Sequence, residues 1–197
     1  ILYTWNSRWF AKKHDFASNL IYDHKIRQFL TENLKNAGVS KVEIERFFDK
    51  RTVIIHVSRP GVAIGRGGSG AEQIKSALIK KIKIKDPSKL EIKFEEIKNP
   101  DLDAYLIAIS IADQLARRIP FRRAMHQSLE RIKRSGAKGA RIALAGRLGG
   151  SEIARRETVK DGSIPLQTLR ADIDFAKVGA KVPKAGIVGI KVWIFKG

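Results

Sequence analysis

The chain has 197 residues, 43% of them hydrophobic, no cysteine, and a formal charge of +19 from 39 Lys and Arg against 20 Asp and Glu. That length supports one large or two modest domains with a real core and argues against disorder throughout; the missing cysteines exclude a disulfide framework and thiolate metal sites and fit a reducing cytoplasm. The charge makes a polyanion the default partner, and nucleic acid is favoured over a membrane because no apolar run approaches the roughly 20 residues of a span. No secretory leader is expected. The chain starts at Ile1 rather than Met and ends in a strand-like run at Gly197, so both ends of the natural protein are expected to be missing.

Trp5, Trp9 and Phe10 precede a helical pattern from about Asp15 to Ala37, in which Phe16, Leu20, Ile26, Phe29, Leu30 and Leu34 recur at helix spacing and Gly38 supplies the cap. Val42, Ile44 and Phe48, then Val53, Ile55 and Val57, alternate with polar residues around Asp49-Lys50-Arg51, which predicts a hairpin. Pro60 opens a short helical turn to Ile64. Ala71, Ile74, Leu78 and Ile82 mark the next helix, Asp86-Pro87 stops it, and Leu90, Ile92 and Phe94 alternate as a strand.

Pro100-Asp101 starts a long helical segment with an apolar stripe of Leu102, Leu106, Ile109, Ala112 and Leu115, which Pro120 interrupts. A second helix follows from about Pro120 to Arg134 and ends at Gly136. Ile142 to Ala145 reads as a strand, Gly146 to Gly150 as a loop, and Ser151 as the N-cap of one helical turn. Strands over about Thr168 to Phe175 and Gly186 to Phe195 complete a second unit. The expected fold is α+β in two domains, 1–98 and 99–197, the second with a mixed or antiparallel sheet.

Between the short turn and the next helix lies Ile64-Gly65-Arg66-Gly67-Gly68. Glycines flanking a basic residue leave a loop with little bulk, so a sugar-phosphate backbone can approach while Arg66 supplies charge. With strands before it and a helix after it, this is the layout of a KH loop. Alone, the spacing also suits any tight turn. Gly65, Gly67 and Gly68 shape the loop; Arg59, Arg66 and Lys75 are the candidate phosphate contacts, with Ile64 and Ile74 packing the flanking helices beneath the bound strand.

A second cluster runs from Ala116 to Arg147: Arg117, Arg118, Arg122, Arg123, Arg131, Lys133, Arg134, Lys138, Arg141 and Arg147, against the single acid Glu130. Charges of one sign this dense repel unless phosphate neutralises them, which favours an RNA-contacting face over a merely solvated one. Arg155 and Arg156 extend the field. Enzyme readings find little: the four histidines show no metal-ligand spacing, and neither a phosphate-binding P-loop nor a nucleophile elbow is present, so no catalytic residue, metal or cofactor is expected. Asp172 and Asp174, two apart on an expected strand, could share a cation or form an acid/base pair, but pairing with basic neighbours is the simpler reading. Trp193, Ile194 and Phe195 read as terminal-strand core.

The blocks WNSRWFAKKHDFASNL, RPGVAIGRGG, IPFRRAM, GAKGARIALAGRLGGSEIAR, LRADIDFA and GIVGIKVWIFKG, in this order from Trp5 to Gly197, resemble the bacterial-type small-ribosomal-subunit protein S-three family. The resemblance implies an N-terminal type II KH domain, a C-terminal α+β domain and a place on the head of the small subunit. There the family binds ribosomal RNA, touches neighbouring head proteins and lines the channel through which messenger RNA enters. The family's basic patch in that channel, associated with unwinding structured messenger, falls on Arg122 and Arg123. Its third basic position falls on His126, and an imidazole there in place of a permanent cation would weaken the patch. The KH loop carries one basic residue, Arg66, where relatives can show two. The function so implied is that of a non-enzymatic, cytoplasmic ribosomal protein; a free KH-type RNA-binding regulator is the alternative.

Overall fold

A computed structural model describes residues 4–48, 50–82 and 90–197, excluding the side chains of Arg66 and Ile82. The described chain divides into two compact units, 1–98 and 99–197. The Asp49 turn position and the Asp86-Pro87 stop lie outside the described residues.

In the first unit a short strand β1 (Ser7–Arg8) precedes helix α1 (Lys13–Asn33), strands β2 (Val39–Phe47) and β3 (Lys50–Val57), helices α2 (Pro60–Ile64) and α3 (Ser69–Ile82), and strand β4 (Leu90–Glu96). The sheet order is β1-β2-β3-β4, with β2 and β3 antiparallel and β4 parallel to β3. The order helix, strand, strand, helix, glycine loop, helix, strand is that of a type II KH domain. Ile26, Phe29 and Leu30 of α1, Val53, Ile55 and Val57 of β3, Leu78 and Leu90 form its core.

The first helix is shorter than its apolar pattern. It ends at Asn33, and a 3-10 turn over Lys35–Ala37 closes on Gly38, whose φ of 68° is left-handed backbone that glycine adopts without strain. Phe16 and Leu20 share the periodicity of the core residues but are 51% and 50% exposed, so only the C-terminal part of the stripe is buried. Phe48, expected in the hairpin strand, lies beyond β2 with φ 50° and is exposed.

The second unit contains α4 (Ala104–Ala116), α5 (Phe121–Arg134), β5 (Gly139–Gly146), β6 (Arg155–Gly162), β7 (Ile173–Val182) and β8 (Gly186–Phe195). The sheet is antiparallel throughout, ordered β6-β5-β8-β7, and both helices pack on one face of it. Pro100–Leu102 is a 3-10 turn, and the α-helix starts after Asp103, whose Oδ1 accepts hydrogen bonds from Tyr105 N (2.9 Å) and Leu106 N (3.0 Å). The buried face of α4 is Ala104, Ile107, Ala108, Ile111 and Leu115, rotated from the expected stripe. This helix is apolar nearly all round, so periodicity alone does not fix its phase.

Two strands differ from expectation. Ser151 starts no helical turn: its hydroxyl donates to Ile153 O (2.9 Å), and the chain enters β6, a strand absent from the sequence reading. The strand expected over Thr168 to Phe175 instead runs from Ile173 to Val182, with turns before it. Asp172 therefore precedes the strand. Asp174 is structural, its Oδ2 accepting from Ala104 N (3.1 Å) at the start of α4 and lying 3.4 Å from Lys196 Nζ. At the end of β8 only Ile194 enters the core; Trp193 alternates to the opposite face.

Candidate nucleic-acid interface

Backbone geometry builds the glycine loop. The α2 helix ends at Gly65 (φ 71°), whose N–H donates to Gly61 O at 3.1 Å, and Gly67 (φ 62°) and Gly68 (φ 82°) are also left-handed. A Cβ built on Gly67 or Gly68 meets nothing within 4 Å, so their glycine requirement is conformational and the space above them is open. At Gly70 the reason is steric: a Cβ there would lie 2.9 Å from both Ala63 O and Ile64 O. That close approach lets α3 start against the end of α2, and the GxxG spacing by itself does not point to Gly70. Arg59 is exposed just before α2. Lys75 is half-buried in a groove between α3 and β4 that also holds Lys50, Glu72 and Glu91, so its surroundings are of mixed sign. The Arg66 side chain lies outside the described residues.

The basic cluster of the second unit separates along α5, which at 14 residues is about 20 Å long. Ala124, Met125, Ser128, Leu129 and Ile132 face the core, leaving Arg122, Arg123 and His126 exposed in the first turns. Folding brings Arg155 to this end: its guanidinium lies 5.6 Å from the ring centroid of Phe121 and that of Arg122 lies 5.7 Å from it. Glu157 Oε1 sits 3.7 Å from Arg122 and 3.8 Å from Arg155. Beside them Arg147 Nε donates to Ser151 O (2.9 Å), and the loop over Leu148–Gly150 approaches Phe121.

At the other end of α5, Arg131 pairs with Asp101, Lys133 with Asp161 (2.9 Å) and Arg134 with Glu130 (3.4 Å). The hydrogen bond and charge of Asp161 hold the Lys133 ammonium above its ordinary pKa, and Lys133 in turn holds Asp161 below. Lys138 lies over Phe195. The ten-to-one excess counted along the sequence is thus softened in space, because Asp101, Glu157 and Asp161 fold onto the cluster from outside it. Among the described residues, Arg117, Arg118, Arg123, Lys138 and Arg156 remain exposed with no carboxylate in salt-bridge range. Among the described residues no cluster of three or more His, Asp or Glu is placed to hold a metal ion, and no helix is long and apolar enough to cross a membrane.

Residues 25–102 match the family model for the KH domain, and residues 111–194 match that for "Ribosomal protein S3, C-terminal domain". The small ribosomal subunit protein uS3 of Clostridium novyi is 47% identical over 197 residues, spanning all of this chain and 87% of the relative. The chain belongs to the uS3 family. The uS3 of Caldicellulosiruptor saccharolyticus is 49% identical over the same span of this chain, and that of Dinoroseobacter shibae is 50% identical over 194 residues, 79% of its length. The KH match covers most of the first unit and runs just past its end, and the other match lies within the second, so uS3 membership accounts for both the KH order of the first and the helix-backed sheet of the second.

Proposed function

We propose that this chain is a structural, non-catalytic constituent of the small ribosomal subunit, binding ribosomal RNA in the subunit head, touching neighbouring head proteins, and lining the messenger RNA channel with the first turn of α5. The uS3 relatives support the ribosomal placement. The observation that carries the channel reading is that turn's composition: it holds Arg122 and Arg123 and no acid of its own, Glu157 of β6 reaching Arg122 (3.7 Å) but leaving Arg123 without a carboxylate, behind a Pro120 N-cap that makes no side-chain hydrogen bond. Free N–H groups at a helix N-terminus already carry partial positive charge, so two arginines there disfavour the isolated protein and favour a bound phosphate.

The mechanism is electrostatic. Arginines neutralise ribosomal RNA phosphates as the head assembles, with Arg59, the Gly65 to Gly68 loop including Arg66, and Lys75 as the candidate contacts of the first unit. Arg117, Arg118, Arg131, Lys133, Arg134, Lys138, Arg147, Arg155 and Arg156 are those of the second. Arg122, Arg123 and His126 form a fixed rim that holds incoming messenger while the ribosome's translocation stroke pulls it, so duplexes part at the rim without nucleotide hydrolysis by this chain. Ribosomes carrying R122A/R123A should translate unstructured messenger at nearly the normal rate and slow on stable hairpins, and H126K should strengthen the rim. Normal assembly with hairpin read-through at the unmutated rate would refute the channel role.

A further inference from the structure

The sheet of the second unit has a second face, opposite α4 and α5, that no helix of that unit covers. Register and alternation place Arg141, Arg156, Lys160, Lys177, Lys181 and Lys191 on it. Every carboxylate on these strands, Glu157, Asp161 and Asp174, alternates to the helix side, where it meets Arg122, Lys133 and Lys196 respectively. The charged residues that these strands place on the open face are therefore all cationic. Exposure alone does not produce this segregation: in the first unit, the face of the sheet away from the core carries Glu43, Glu45 and Glu91 interleaved with Lys41 and Lys93.

Two further observations define what the face fits. Lys177 and Lys191 are direct cross-strand partners, an arrangement of like charges that destabilises a sheet unless an anion lies between them. In the adjacent row, Lys160, Arg141, Trp193 and Phe175 are successive partners across four strands. The Phe175 and Trp193 rings lie 5.2 Å apart at 41°, the Arg141 guanidinium sits 5.1 Å from the Trp193 ring, and Phe175 is 50% exposed. A half-exposed aromatic pair bordered by cations is complementary to a ligand that presents flat rings and phosphates together.

We propose that this face binds an unpaired RNA segment, with a base stacked on Phe175 beside Trp193 and its phosphates bridging Lys177 and Lys191. The site uses none of the glycine-loop or α5 residues invoked above. An acidic protein segment would satisfy the lysines but leave the aromatic pair without a matching group.

The test titrates the full-length chain with a single-stranded oligouridylate and, separately, with heparin, a polyanion without bases. F175A should weaken oligouridylate about fivefold or more and leave heparin unchanged. F175L, which keeps the apolar bulk without the ring, should match F175A. K177Q/K191Q should weaken both ligands and flatten the dependence of log affinity on log salt by about 1.4. Wild-type oligouridylate affinity in F175L overturns the stacking site, as does an equal loss of heparin and oligouridylate in F175A. A loss confined to R122A/R123A overturns it while leaving the channel reading intact, and protection of Phe175 by a protein chain rather than RNA in assembled subunits also overturns it.

Discussion

Arg122 and Arg123 stand where a helix least favours cations, whereas Arg131, Lys133 and Arg134 stand in the last turn of the same helix, where the macrodipole favours them. Replacing Arg122 and Arg123 by Ala should leave the melting temperature unchanged or raise it, by up to about 1 kcal/mol of stability per charge, while K133A should lower it slightly. A clear loss of stability in R122A/R123A would mark these residues as structural. Glu43 gives a second residue-scale expectation. Its side chain is only 8% exposed, and burial works to raise its pKa, but the hydrogen bond and charge of Lys41 and the charges of His56 and Arg8 outweigh burial and hold it below the ordinary 4.5. Its stabilisation is therefore complete above that value and disappears as pH falls through the lowered folded-state pKa. Urea denaturation across this acid range should show a smaller pH dependence in E43Q than in wild type; identical slopes would contradict the assignment.

At the scale of elements, the two glycine classes of the KH loop should separate experimentally. G70A places a Cβ against the α2 carbonyls and should cost about 1–3 kcal/mol as the helices are forced apart. G67A meets open space and should cost only about 1–2 kcal/mol of left-handed backbone strain. Pairing R66D with G67D puts carboxylates where phosphate is expected, so RNA affinity should fall while urea unfolding reports a folded first unit. Undiminished affinity would remove the loop from the interface. The loop was legible in the sequence because its glycine spacing sits between strands and a helix, and the hairpin and the amphipathic α5 because their apolar residues alternate with polar ones at one clear period. β6 was not: its sequence RRETVKDG has only Val159 as an apolar inward residue, because this edge strand spends Glu157 and Asp161 on ion pairs with α5. Trp193 misled because an aromatic beside buried Ile194 reads as core until the register assigns it to the open face.

For the whole molecule, the sequence carried the excess of cations but not their arrangement, since Asp101, Glu157 and Asp161 reach the basic cluster only through folding. What persists is a chain of formal charge +19 whose RNA affinity should be governed by counterion release. If about six phosphates are engaged, log affinity should fall against log salt with a slope of about −4 to −5, and a flat dependence would indicate apolar recognition. The central claim, that the chain is a fixed part of the small subunit rather than a free RNA binder, is tested most directly by sedimenting a lysate of cells expressing it after a moderate salt wash. The account predicts the chain in the small-subunit peak; recovery mainly in the soluble fraction would contradict it.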